Sequence, residues 1–209
     1  MIVSRGRRYI FVHIPKTGGT ALSLALEGRA MKDDILIGNT PKAIARRKRQ
    51  RALFPAARLN KHGTLKDAEK LAGDIEGYYC FTLVRNPWDR LVSYYHWLRE
   101  QKFDHSAVSL AKAVEFSEFI HAPETVASLK NCPYASYMAG HSDVHYARLE
   151  HLEQDLVPLW EHLGFSLAPI ARINVSERER DYRRYYSDVD IEHSHDVLAA
   201  DIAQFGYQF

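Results

Sequence analysis

YIFVHIPKTGGTAL, Tyr9 to Leu22, is the stretch on which the reading of this chain turns. Tyr9 to Ile14 is short, β-rich and almost wholly apolar, so it reads as a strand buried on both faces. Pro15-Lys16-Thr17-Gly18-Gly19-Thr20 follows, and then Ala21, Leu22, Leu24, Ala25 and Leu26 recur at helical spacing. Strand, glycine-rich turn and helix open an α/β unit. Such a turn presents backbone N–H groups at a helix N-terminus, where the dipole favours an anion. Gly18 and Gly19 let the backbone approach closely, Lys16 adds a mobile positive charge, and Thr17 and Thr20 add hydroxyls. The loop therefore reads as a grip for a phosphate-like group. In a nucleoside-triphosphate loop the lysine follows the glycines; here it precedes them. The plain alternative is a tight turn beside a solvated lysine.

A second stretch, FTLVRNPWDRLVSYY from Phe81 to Tyr95, repeats the arrangement. Tyr78 to Val84 is the clearest strand of the chain. Asn86 as cap and Pro87 at the first helical position start a helix that runs to Gln101, with Leu91, Tyr94, Tyr95 and Leu98 on one face. Arg85 stands at the C-terminal end of the strand, where open α/β sheets bind ligands, and Ser93 lies on the helix. A guanidinium forks onto phosphate oxygens with good geometry. Two anion grips at the ends of two strands call for a ligand with two separated anionic groups.

The rest of the chain fits this frame. Asp34 to Gly38 and Val144 to Leu149 read as further strands. Pro41 to Leu53, Leu65 to Leu71, Ala113 to Ile120, His151 to Leu163 (closed by Gly164) and Asp190 to Phe205 read as helices, and Arg58 to Thr64 as a loop. The alternation predicts an α/β fold: one domain over residues 1–209, with a mostly parallel sheet flanked by helices. Of the 209 residues, 46% are hydrophobic and 26% charged, which supplies a real core. The formal net charge of +2 argues against a general nucleic-acid binder. Cys80 and Cys132 are too few for a disulfide framework or a zinc site. No segment approaches the ~20 apolar residues of a membrane span, and a cytoplasmic location is expected.

HIPKTGGTAL together with LVRNPWDRLVSYY closely resembles the sulfotransferases that use 3′-phosphoadenosine 5′-phosphosulfate (PAPS), in particular the carbohydrate-type branch. The resemblance implies a P-loop-like fold in which the first motif holds the 5′-phosphosulfate and the second the 3′-phosphate, with no metal. It places Lys16 on the bridging and sulfate oxygens, and the backbone of Thr17, Gly18, Gly19 and Thr20 around the 5′-phosphate. Arg85 and Ser93 fall on the 3′-phosphate. KHGT, Lys61 to Thr64, resembles the segment that carries the family's base, which points to His62. RLEHLEQDLVPLWEHLG, INVSERERDYRRYYSDVD and DIAQFGY resemble later parts of the family, where a late loop covers the nucleotide; Arg172, Arg178 and Arg180 are its candidate arginines. The membrane anchor and stem of Golgi members are missing, so the implied enzyme is of a bacterial, cytosolic type. Its acceptor is a hydroxyl of a sugar or other small molecule.

Other features read as structure first. His13 is expected to be packed, His141 and His145 are weaker rivals to His62, and His96, His151, His162, His193 and His195 read as helix-surface residues. The basic run Arg46-Arg47-Lys48-Arg49-Gln50-Arg51 reads as a solvated helix face, with docking of an acidic acceptor as the alternative. Trp88 and Trp97 read as core rather than as stacking platforms. Phe103 to Asp143, where an acceptor pocket is expected, carries no legible motif. Two other functions compete. A P-loop kinase or nucleotide hydrolase needs a Mg²⁺-holding carboxylate at a strand end, where Arg85 stands instead. A non-catalytic nucleotide- or glycan-binding module of the same fold differs only in lacking turnover.

Overall fold

A computed structural model describes residues 1–57, 59–171, 173 and 178–209. In chain order its elements are β1 (Ile2–Ser4), β2 (Tyr9–Val12), α1 (Gly19–Gly28), β3 (Ile35–Leu36), α2 (Pro41–Leu53), α3 (Leu65–Ala72), β4 (Tyr79–Val84), α4 (Pro87–Glu100), α5 (Ser106–Ala113), α6 (Phe116–His121), α7 (Pro123–Asn131), α8 (Tyr134–Tyr137), β5 (Val144–Arg148), α9 (Leu152–Asp155), α10 (Val157–Leu163), α11 (Asp188–Val197) and α12 (Ala199–Phe205). The fold is α/β. The strands form one sheet in the order β3-β1-β2-β4-β5. β2, β4 and β5 pair in parallel, while β1 is antiparallel to both β2 and β3. β3 therefore runs with β2, and only β1 opposes the common direction.

The chain divides into two compact units, Met1–Val84 with Ser136–Ile173 and Arg85–Ala135 with Asn174–Phe209. The first unit holds the sheet. Every residue of β2 is 2% exposed or less, as its unbroken apolar run predicts. Alternate side chains leave opposite faces. Ile10, Val12 and Cys80 pack on one side against Leu65, Ala68 and Leu71 of α3. Phe11, Phe81 and Leu83 pack on the other against Leu22 and Leu26 of α1 and Leu156 and Leu159. The register Phe11↔Phe81 brings these rings together, 5.1 Å apart and stacked. Three apolar positions per helix on one face are thus enough to seat α3 on the sheet.

β1 is absent from the expectation. Three residues are too few to show a period, and its pairing with β2 depends on the turn at Arg5–Arg8, where Arg8 has φ +51°. β2 stops at Val12 rather than Ile14. β3 is reduced to two residues, shielded by Gln50 of α2; with its amide oriented to pair, its oxygen accepts from the Leu36 N–H at 2.7 Å and its nitrogen donates to the Leu36 carbonyl at 2.8 Å. That occupies part of an otherwise open sheet edge.

The second unit is helical. Trp88, Leu91, Tyr95 and Leu98 of α4 meet Val108, Phe116, Phe119 and Ile120, with Leu198 and Ile202 from the C-terminal helices. Here the helix bounds differ from expectation. The helix expected over Ala113 to Ile120 is α6, Phe116–His121; α5 before it, capped by His105, whose Nδ1 accepts from the Ala107 N–H, has no counterpart in the expectation. α7 was not foreseen. The final helix breaks at Leu198 into α11 and α12. α11 begins one turn earlier in sequence than its apolar pattern, because Ser187 and Asp190 form a capping box. Among the described residues no helix is long and apolar enough to cross a membrane.

Candidate functional site

The loop expected to hold the first anion lies in the sheet unit. Beyond the end of β2 at Val12 the chain turns through two left-handed residues, Lys16 at φ +67° and Gly18 at φ +81°. Glycine adopts that conformation freely, whereas a lysine is strained there by about 1–2 kcal/mol. Gly18 is the N-cap of α1 and supplies no side-chain acceptor to the first-turn N–H groups; the Ala21 N–H donates to the Gly18 carbonyl at 3.1 Å. Both glycines are also required by their surroundings. A Cβ at Gly18 would lie 2.7 Å from Leu149 Cδ1, and one at Gly19 would lie 2.5 Å from His13 Cδ2. The Thr17 hydroxyl, expected to face a ligand, is fully buried and donates to the Ile14 carbonyl at 2.9 Å. The hydroxyl braces the loop and is committed to the protein.

His62 comes to the same loop. It sits in the turn Asn60–Gly63, immediately before α3, whose N-terminus is fixed by the Thr64–Asp67 capping box. Its Nδ1 lies 2.7 Å from the His13 carbonyl. A carbonyl only accepts, so Nδ1 carries the hydrogen, and in the neutral ring Nε2 keeps the lone pair. The His13 ring lies edge-on to His62 at 5.0 Å and stacks on Phe11. His13 is 3% exposed, as the packed reading expects. Burial above all, with nearby positive charge including Lys61, holds its imidazole well below the usual histidine value, so the ring is neutral. Burial also lowers the Lys61 ammonium.

Arg85 and Ser93, expected to hold the second anion, lie in the helical unit. Asn86 caps α4 by accepting from the N–H groups of Trp88 and Asp89 at 3.1 and 3.2 Å, and its amide donates to the Tyr182 hydroxyl. The Arg85 carbonyl accepts from the Tyr134 hydroxyl at 2.7 Å. The Arg85 guanidinium donates to Asp89 through Nε at 2.7 Å and Nη2 at 2.5 Å. Ser93 is one turn beyond Asp89 on the same helix face and is 5% exposed. Of the three late arginines, Arg178 reaches this point: its Nη2 donates to Asp89 Oδ1 at 2.5 Å. Arg180 is exposed, and Arg172 lies outside the described residues. Asp89 was overlooked in the sequence, although its place four residues after Arg85 was a visible signal.

The remaining candidates resolve plainly. Trp88 is core, with its indole N–H donating to Ser194 at 2.9 Å, and Trp97 packs beside Tyr94 and Phe103. His145 stacks on Tyr79 at 4.2 Å and His141 faces Glu69. His96 departs from its surface reading, because its Nε2 is buried. In the basic run, Arg46, Arg47 and Arg49 donate to the carbonyls of Asp34, Gly38 and Lys32; these guanidinium groups tie α2 to the preceding loop. Among the described residues no three His, Cys, Asp or Glu side chains are grouped to hold a metal.

The model of the Sulfotransferase family matches residues 1–208, nearly the whole chain. No curated protein matches it significantly.

Proposed function

Since the chain belongs to the sulfotransferase family, we propose that it moves the sulfuryl group of PAPS to a hydroxyl of a carbohydrate or other small acceptor. We take residues 1–209 as one sulfotransferase domain. The observation that carries the reading is the loop Pro15–Thr20: a strained Lys16 before two sterically enforced glycines, opening a helix with no side-chain cap. That is a cradle for a tetrahedral anion, with its cation placed ahead of the helix rather than within it. Arg85, Asp89 and Arg178 carry an excess of one positive charge over their shared carboxylate, which suits a second phosphate.

PAPS supplies the activated sulfuryl group: the bond from sulfur to the 5′-phosphate oxygen breaks as the bond from sulfur to the acceptor oxygen forms. Lys16 and the N–H groups of Thr17 to Thr20 neutralise charge on the departing phosphate and the sulfate oxygens. Arg85 and Ser93 hold the 3′-phosphate. His62 takes the acceptor's proton at Nε2, while the His13 carbonyl retains the proton on Nδ1 and holds the ring's orientation. Metal-free transfer belongs to this proposal. So does a cytoplasmic location, which suits the unpaired Cys80 and Cys132.

A thermal-shift titration without metal tests the reading. Adenosine 3′,5′-bisphosphate is expected to stabilise the protein, by about 2.7 kcal/mol at a hundredfold excess over its dissociation constant, and ADP much less. A shift with ATP and Mg²⁺ and none with the bisphosphate would transfer the assignment to a nucleotide kinase or hydrolase. Tight bisphosphate binding without sulfation of any acceptor would favour the binding-module alternative.

A further inference from the structure

Charge is distributed unevenly along this chain. Residues 1–57 hold twelve of its 28 Lys and Arg but only three of its 26 Asp and Glu. Two of those carboxylates are buried, Glu27 at 4% and Asp34 at 1% exposure, which leaves Asp33 as the exposed one. The cations lie outside: Lys42, Arg47, Lys48, Arg49 and Arg51 of α2 are all exposed. The acceptors of the α2 arginines are uncharged. Arg46 and Arg49 donate to the carbonyls of Asp34 and Lys32, and Arg47 to the Gly38 carbonyl and the Asn39 amide oxygen. Lys48 and Arg51 have neither a hydrogen bond nor an ion pair among the described residues. The surface is continuous. Arg46 and Arg49 bring α2 onto the loop Met31–Asp34, and Met31 packs on the β1–β2 turn, where a Cβ at Gly6 would lie 2.5 Å from its Sδ. Arg5 and Arg8 of that turn are exposed as well, and they too donate to carbonyls, of Leu71 and Glu76.

The same segments expose apolar side chains: Met31 at 39%, Ile44 at 51% and Leu53 at 64%. α2 buries only Ala43 and Gln50, a single line of its surface. Its outward line is Ile44, Ala45, Lys48 and Ala52, with Arg51 on one flank and Arg49 on the other. An apolar line bordered by long cations is the form of a helix that lies in a bilayer interface. Its apolar residues enter the boundary between headgroups and acyl chains, while the cations reach anionic headgroups and their stems cover apolar surface. A nucleic acid or a sulfated polysaccharide would meet the charge but give Ile44 nothing to bury against, and α2 has no aromatic ring on which a base could stack. We propose that this basic face of the sheet unit docks the protein peripherally on an anionic lipid surface, with the outward line of α2 at headgroup level. The docking face contains no residue of the phosphate loop and so acts independently of the proposed sulfuryl transfer.

Vesicle co-sedimentation of the full chain tests this, comparing vesicles of equal parts phosphatidylcholine and phosphatidylserine with vesicles of phosphatidylcholine alone. Binding is expected to the anionic vesicles only, and to weaken as salt is raised, because exposed charges are screened. Lys48→Gln combined with Arg51→Gln removes two charges without breaking a hydrogen bond of the described residues. It should weaken binding by about tenfold or more, at about fivefold per charge near the surface. Ile44→Gln keeps every charge and should weaken binding by about fivefold, with the melting temperature essentially unchanged. Failure to sediment with the anionic vesicles, or equal binding to both vesicle types, would overturn the proposal. Wild-type vesicle affinity in Ile44→Gln would reduce the face to bare charge and overturn it as well. Binding of heparin or duplex DNA that the double variant abolishes, with no binding to vesicles, would assign the face to a polyanionic chain instead.

Discussion

Gly19→Ala is the most discriminating single change in the phosphate loop. The added Cβ would lie 2.5 Å from Cδ2 and 2.7 Å from Nε2 of His13. The His13 ring has nowhere to retreat: it is 3% exposed and backed by the fully buried Phe11. Overpacking of that kind costs about 1–3 kcal/mol, against at most about 1 kcal/mol gained from alanine's better helix propensity. For a chain of this size each kcal/mol moves the melting temperature by roughly 2–4 °C, so a fall of up to about 12 °C is expected by calorimetry. Turnover should suffer more than stability. Moving His13 also moves the carbonyl that fixes the proton on His62 Nδ1, so sulfation should drop by about tenfold or more. The second half of the test is Gly19→Ala made in a His13→Ala background. With the ring gone the clash is gone, and the same substitution should be neutral or stabilising. Equal destabilisation in both backgrounds, or none in either, would refute the argument that His13 is what forbids a side chain at position 19.

Other consequences follow from the same geometry. Lys16→Ala should abolish sulfation and only weaken bisphosphate binding, because its charge is needed most on the departing phosphate; turnover at the wild-type level would remove Lys16 from the mechanism. His62→Ala should leave bisphosphate affinity unchanged and eliminate turnover, and full activity in that variant would end its assignment as base. Arg85→Ala should weaken bisphosphate binding by about 1.5–3 kcal/mol, roughly 10- to 150-fold, read by calorimetry against ADP as control. Acid should destabilise the fold through His13. Its folded value lies well below the unfolded value of about 6.5, so the unfolded chain binds the extra proton. Stability should therefore fall as pH drops below about 6.5, by up to ~1.4 kcal/mol per pH unit from this group; His13→Asn should flatten denaturation midpoints over that window, and an unchanged slope would show that the ring titrates normally.

Much of the local structure around the candidate site was legible because its signals are local. A strand, a Pro-Lys, two glycines and a helical pattern are contiguous, and so are Arg85, the Asn86 cap and Pro87. Their consequences depend on dihedral angles and caps set within a few residues. His62 was reached through a resemblance, and its contact with the His13 carbonyl, 49 positions away, has no trace in composition or spacing. Arg178 stood unresolved among three late arginines for the same reason. The strand Ile2–Ser4 escaped because a three-residue edge element has no periodicity and exists only through its partners.

By itself, the sequence determined the α/β order of elements, the two strand–turn–helix units, the helix caps and the apolar faces, since these follow from backbone preferences and burial of neighbouring residues. Tertiary structure alone decided the charge and proton arrangement: that the buried His13 ring is neutral, which nitrogen of His62 bears its hydrogen, which arginine shares Asp89, and that the Thr17 hydroxyl braces the loop. Those properties depend on what lies within a few ångströms in space. Burial and hydrogen bonding are set there by distant segments, so no local stretch of sequence encodes them.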